Sequence, residues 1–270
     1  MRYIKDNLIP FAVFVSFFIA VLFYASCSES TSLENSQGQI TLTMVDSPAG
    51  FDQINISILR VEAHVTGADS NNGWVVINNN EAIYDLLKLK NGVTTIIGNS
   101  SLAIGHYSQI RLIIGAGSNI VVDGVTYPLE IPSGEQTGIK LNHEFEILED
   151  LNYELFLDFD AELSILLTGS GQYIMTPVIR IIPAGISGTI SGIIIPVNSD
   201  ASVYAKSGAE SISTSVDKTT GMFKLMAIIE GTYDVVVSSV NVIYNDTTIS
   251  NVVVVAKKDT DLGTINLSLK

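Results

Sequence analysis

The chain has 270 residues, 47% of them hydrophobic, and a formal net charge of −14. That length and apolar content suit one large or two modest folded domains and exclude a disordered chain. The acidic balance repels phosphate backbones and argues against nucleic acid, and Cys27, as the sole cysteine, leaves no disulfide, thiolate zinc site or cysteine nucleophile downstream of it.

The chain opens on the weakly cationic "MRYIKDN", followed by 18 residues without a charge, Leu8 to Ala25, and then Ser26 and Cys27. A positive start, an apolar run and small residues at a cleavage point define a secretory signal. An uncleaved transmembrane helix is the alternative, but 18 residues lie at the short end of what crosses a bilayer. The arrangement resembles the lipobox of bacterial lipoproteins, with Tyr24 in the slot where Leu is usual and Ala25 and Ser26 as the small residues before the cut. That resemblance implies that residues 1–27 form the signal, that Cys27 carries the lipid, and that the membrane is a partner through this anchor. By the same analogy Ser28 in place of Asp after the cysteine permits delivery to the outer membrane, the expected destination in a bacterial cell envelope. Residues 28–38, "SESTSLENSQG", are polar and read as a flexible tether.

From Gln39 the pattern is strand after strand. "QITLTMVD" and "QINISILRVEAHV" alternate apolar and polar residues, as half-buried strands do. "GWVVI", "YSQIRLII", "NIVVDGVTYPLEI", "TGIKLNHEFEI", "YELFLDFDAEL" and "YIMTPVIRIIP" continue the series, whereas "EAIYDLLKL" has Ile83, Leu86 and Leu87 at the spacing of one helical turn. Pro183, Ala184 and Gly185 mark a break, after which about 85 residues hold seven further short strands. The fold class is therefore all-β, with two β-sandwich-like domains in tandem, 39–183 and 184–270.

Residues 39–183 resemble domain of unknown function 4382, through "GQITLTMVDSPAGFDQINISILRVEAH", "YDLLKLKNG", "GHYSQIRLII", "IPSGEQTGIKL", "LDFDAELSI" and "GSGQYIMTPVIRIIP" in that order. The resemblance implies an extracytoplasmic β domain and no particular activity. Residues 184–270 are similar to the carboxypeptidase regulatory-like, or transthyretin-like, sandwich, through "ASVYA" and "STSVDKTTGMFKLMAIIEGTYDVVVSS". That likeness implies a non-catalytic accessory module in which Phe223 and Tyr233 tie the sheets together.

"LFLDFDAEL" is the most suggestive stretch for chemistry. On a continuous strand Asp158, Asp160 and Glu162 share one face. Their mutual repulsion calls for a neighbouring positive charge: a hard cation such as Ca²⁺, or basic groups on adjacent strands. Arg111, Lys140 and Arg180, single cations inside apolar strands, are the expected partners, and a charge network is favoured over a metal site. The loop residues Ser133, Glu135, Gln136 and Thr137 offer a binding surface, although a plain glycine hairpin is the commoner meaning of such a loop. Trp74 reads as a core anchor in a strand apolar on both faces. If it is exposed instead, it joins Tyr127 and Tyr173 as a platform for a sugar.

Catalytic motifs are few in the sequence. The three histidines (His64, His106, His143) form no H-E-x-x-H, and G-x-S-x-G and phosphate-binding glycine loops are missing. A hydrolase built from two carboxylates remains the minor alternative. The sequence thus predicts a lipid-anchored envelope protein that is not an enzyme and that needs no cofactor or metal. It would serve as a binding, adhesion or scaffolding module, with a glycan or an envelope protein as partner.

Overall fold

In a computed structural model, the described residues are 36–47, 49–132, 134 and 137–270. The expected signal with Cys27, most of the expected tether, and Ser133, Glu135 and Gln136 lie outside them. Among the described residues no helix is long and apolar enough to cross a membrane. The described residues are almost entirely β, in several separate sheets, as the period-2 patterning requires.

The first thirteen strands are β1 (Gln37–Ser47), β2 (Gln53–Val65), β3 (Trp74–Asn78), β4 (Ala82–Asp85), β5 (Thr95–Ala103), β6 (Gly105–Ile114), β7 (Asn119–Val122), β8 (Val125–Glu130), β9 (Ile139–Ile147), β10 (Asn152–Asp160), β11 (Ile165–Leu167), β12 (Tyr173–Met175) and β13 (Ile179–Pro183). One sheet runs β13-β10-β1-β5. The other runs β11-β12-β8-β7-β2-β6-β9, with β3 and β4 also on β2. Their inner faces enclose a core that includes Ile40, Leu42, Ile54, Ile110, Leu157 and Phe159. The remaining strands are β14 (Ser187–Ile195), β15 (Ala201–Ser207), β16 (Glu210–Ser215), β17 (Met222–Ile229), β18 (Gly231–Ser239), β19 (Thr247–Val254) and β20 (Asp259–Asn266). They form sheets β17-β14-β20 and β16-β15-β18-β19 around Ile190, Val203, Phe223 and Val235.

Three local differences from the sequence reading have physical causes. "NIVVDGVTYPLEI" is a hairpin, β7 and β8, because Asp123 and Gly124 both take positive φ (50° and 75°) as a two-residue turn needs. "EAIYDLLKL" gives strand β4 and then a 3₁₀ turn, Leu86–Lys88, that buries Leu86 and Leu87. "YELFLDFDAEL" leaves the strand at Asp160, whose carboxylate accepts from the Leu163 backbone N–H at 2.9 Å and caps a four-residue helix, α1 (Ala161–Ser164).

The two β regions repeat one fastening. Tyr107, two residues into β6, donates its hydroxyl to the Ala103 carbonyl at 3.0 Å. Tyr233, two residues into β18, donates to the Ile229 carbonyl at 2.8 Å. Both tyrosines are buried and follow a glycine by two residues, so each ties a strand to the corner just before it.

Candidate functional site

Asp158 and Arg180 face each other across the antiparallel β10–β13 ladder and form an ion pair. Beside them Val45, Ile182 and Phe156 of the first β region pack on Ala227 and Met226 of β17. The pair therefore sits on the seam where the sheet face of β13-β10-β1 meets the second β region. Asn91 closes the seam on another side: its backbone N–H donates to Thr214 Oγ1 at 3.1 Å and its side-chain amide to the Met222 carbonyl at 3.3 Å. Asp158 is only 4% exposed. Burial pushes its carboxyl up to about 6 against the pull of the Arg180 guanidinium, and the nearby Asp160 charge pushes the same way as burial.

The other expected members of that network lie elsewhere. Glu162 has turned out of the strand with α1 and lines an open groove of about 920 Å³ beside the seam. The three-carboxylate face expected from strand periodicity does not exist, because the cap at Asp160 ends the strand. Among the described residues no three His, Cys, Asp or Glu side chains gather as a metal site.

Arg111 and Lys140 are cross-strand partners on β6 and β9, on the outer face of the larger sheet. Arg111 binds Glu62, its β2 neighbour in the ladder, through Nη2 and through Nε at 2.7 Å. Arg60 Nε meets the other Glu62 oxygen at 2.6 Å, so two guanidiniums bracket one buried carboxylate. The Arg111 guanidinium also lies 3.8 Å over the ring of Trp74, with Lys140 Nζ at 5.7 Å and the His64 ring edge-on at 4.8 Å. Trp74 is accordingly half-buried on an outer face and not a core anchor. It pairs with His64 at the end of β2, where the pleat points it away from the core and a cation covers its ring. Thr137 is exposed, next to Gly138 at φ +76°, a position that suits glycine because a Cβ there would stand 2.6 Å from Arg111 Cγ.

A cleft of about 380 Å³ opens between the β7–β8 hairpin and the turn before β12. Tyr127 and Tyr173 wall it, with ring centroids 5.3 Å apart and planes inclined at 53°. Phe51 supports Tyr173 edge-on at 6.5 Å, and both Phe51 and Tyr173 rest against the core. Ser118, Glu130 and Gln172 complete the wall. Parallel pairing of β8 with β12 sets Leu129 opposite Tyr173 and thereby brings the two tyrosines to one mouth.

A family model described as Domain of unknown function (DUF4382) matches residues 37–177. The chain belongs to the DUF4382 family. The matched region contains Glu62, Arg111, Asp158 and both cleft tyrosines, whereas Arg180 and the second β region lie beyond it. No curated protein matches the chain. Among solved structures, a putative adhesin from Bacteroides ovatus is 11% identical, with 90% of this chain and 97% of that one covered at a TM-score of 0.27. The minor pilin GBS52 of Streptococcus agalactiae is 12% identical over 85% and 96%, at 0.23. A mutant type II cohesin–X-dockerin complex from Acetivibrio cellulolyticus is 24% identical over 30% of this chain, at 0.25, and the match spans 58% of that chain's length.

Glu62, the buried centre of the outer-face cluster of this DUF4382 member, escaped the sequence reading. Its signal was the alternation Arg60-Glu62-His64, which marks a polar face but not the strand it meets. The cleft was foreshadowed only by its two tyrosines. Glu130 and Gln172 join them through a parallel pairing between segments some forty residues apart.

Proposed function

We propose that this DUF4382 protein is a lipid-anchored module of the bacterial cell envelope that binds or adheres and catalyses no reaction itself. The observation that carries the reading is the use made of its buried charges. Asp158 is held by Arg180 under the seam, and Glu62 is held by two arginines within the sheet. A glycoside hydrolase built from a carboxylate pair needs both carboxylates open to one cleft, one of them held protonated. Among the described residues the carboxyl whose pKa is raised to about 6, that of Asp158, faces a packed domain contact. Three carboxylates line the open groove, Glu162, Asp200 and Asp217; Asp200 pairs with Lys218 at 2.7 Å, which leaves Glu162 as the one without a cation or amide partner among the described residues. Asp217 accepts from the Thr220 amide, the Thr220 hydroxyl and the Thr219 amide, which together hold its carboxyl below the usual range.

In this reading Cys27 is the lipidated mature N-terminus, residues 28–38 are the tether, and 39–183 and 184–270 are two domains locked into one presenting body. The second domain is of the carboxypeptidase regulatory-like kind, and the destination is the outer membrane. The partner is a glycan or an envelope protein. Cells treated with globomycin should accumulate the unprocessed precursor, and Cys27→Ala should move the protein out of the lipid-labelled membrane fraction; unchanged size and labelling would overturn the anchor. Incubation of the purified protein with a polysaccharide panel should release no new reducing ends. Release that is lost in a carboxylate variant would overturn the non-catalytic part.

A further inference from the structure

We infer that the cleft between Tyr127 and Tyr173 is a binding site for a neutral glycan. The inference rests on the binding-module reading and names its ligand class. Four observations converge on it. The cleft's volume, about 380 Å³, suits one or two sugar rings. Two tyrosine rings stand at its mouth on strands, not on loops, so their positions are fixed before a ligand arrives. Tyr173 is braced from behind by Phe51 and the core, while Tyr127 is 36% exposed and offers its ring to the solvent side. The inclined pair gives one ring to stack on the apolar C–H face of a pyranose and a second to close over its edge.

The polar groups of the cleft define the rest of the ligand. Among the described residues no cation pairs with Glu130, so its carboxylate is free to accept hydrogen bonds from hydroxyls. Gln172 uses Oε1 to accept from Ser170 at 3.3 Å, which leaves its amide hydrogens to donate. Ser118 Oγ accepts from the Ser57 N–H at 3.1 Å and keeps its own proton to give. A lining that holds one acceptor and two donors suits the hydroxyls of a sugar ring, which both donate and accept. Among the described residues no Lys, Arg or His lines the cleft and one carboxylate does, so an acidic glycan is disfavoured. Trp74 is the poorer platform, since the Arg111 guanidinium occupies its face at 3.8 Å.

The test uses the full chain in a detergent without a sugar headgroup, on a printed array of neutral and acidic glycans, with choline chloride as a cationic arm. The inference expects neutral glycans to be retained and choline to be ignored. Tyr127→Ala should weaken the best hit by about tenfold or more, and Glu130→Gln by roughly fivefold. Both positions are exposed, so circular dichroism of each variant should match the parent. Trp74→Ala should leave binding unchanged. Absence of any neutral hit, hits indifferent to Tyr127→Ala, or retention of choline would overturn the glycan site. Cleavage of the best-hit oligosaccharide, read by mass spectrometry of the recovered ligand, would instead overturn the non-catalytic reading.

Discussion

Replacing Arg180 by Met tests the seam. Asp158 is 4% exposed and Asp160 repels it, so without the guanidinium its charge has no compensation. Stranding one partner of a buried pair costs about 3–5 kcal/mol. The carboxyl escapes by taking up a proton, at about 1.4 kcal/mol per pH unit between the solution and its pKa. In the parent protein that pKa is already raised from 3.8 to about 6. The folded chain therefore holds this proton more tightly than the unfolded one. The group's penalty is complete above about pH 6 and fades as pH falls toward 3.8; the shift corresponds to about 3 kcal/mol. Arg180→Met should thus cost about 3–5 kcal/mol near pH ~8 and less than about 2 near pH ~5, relative to the parent at each pH. Asp158→Asn should cost less than Arg180→Met at the higher pH, because the Arg180 side chain, 35% exposed, can turn to water. Replacing both with apolar residues should recover most of the loss. Urea unfolding followed by circular dichroism at the two pH values measures all of this. Equal penalties for Arg180→Met at both, or a larger loss for Asp158→Asn, would refute the argument.

Other substitutions probe single features. Tyr107→Phe and Tyr233→Phe should each cost about 1–3 kcal/mol in the same unfolding experiment, since each leaves a strand-corner carbonyl without its donor. Gly221→Ala should lower the melting temperature sharply: φ is +75° and the new Cβ would stand 2.5 Å from the Ile194 carbonyl oxygen. Asp160→Ala should cost about 1 kcal/mol while Asp160→Asn stays near neutral, because asparagine also caps a helix. EDTA should leave the melting temperature of the parent unchanged; a large shift would restore a cation to the account.

Much of the fold was legible because strands declare themselves at period 2, as Ile54, Ile56 and Ile58 of β2 do in filling the core. Local turn chemistry was legible too, although the Asp123–Gly124 hairpin passed unread inside a longer apolar run. The charge clusters were less so. Arg111, Arg180 and the acidic strand were recognisable as unusual, but their partners depend on which strands become neighbours. Register pairs Arg111 with Glu62, and the β10–β13 ladder pairs Arg180 with Asp158. The end of β10 was hidden for a different reason. Asp160 fits both an alternating strand and a helix cap, and only the cap bond decides between them. The Tyr127–Tyr173 cleft lay beyond sequence reasoning, because parallel pairing of β8 with β12 is a long-range choice.

The central claim, a display module held to the membrane by Cys27, is tested most directly by intact-mass spectrometry of the protein extracted from membranes. The account predicts a mature chain that begins at Cys27 and carries the mass of a lipid on that residue. A chain that still begins at Met1, or one cut elsewhere and free of lipid, would contradict it.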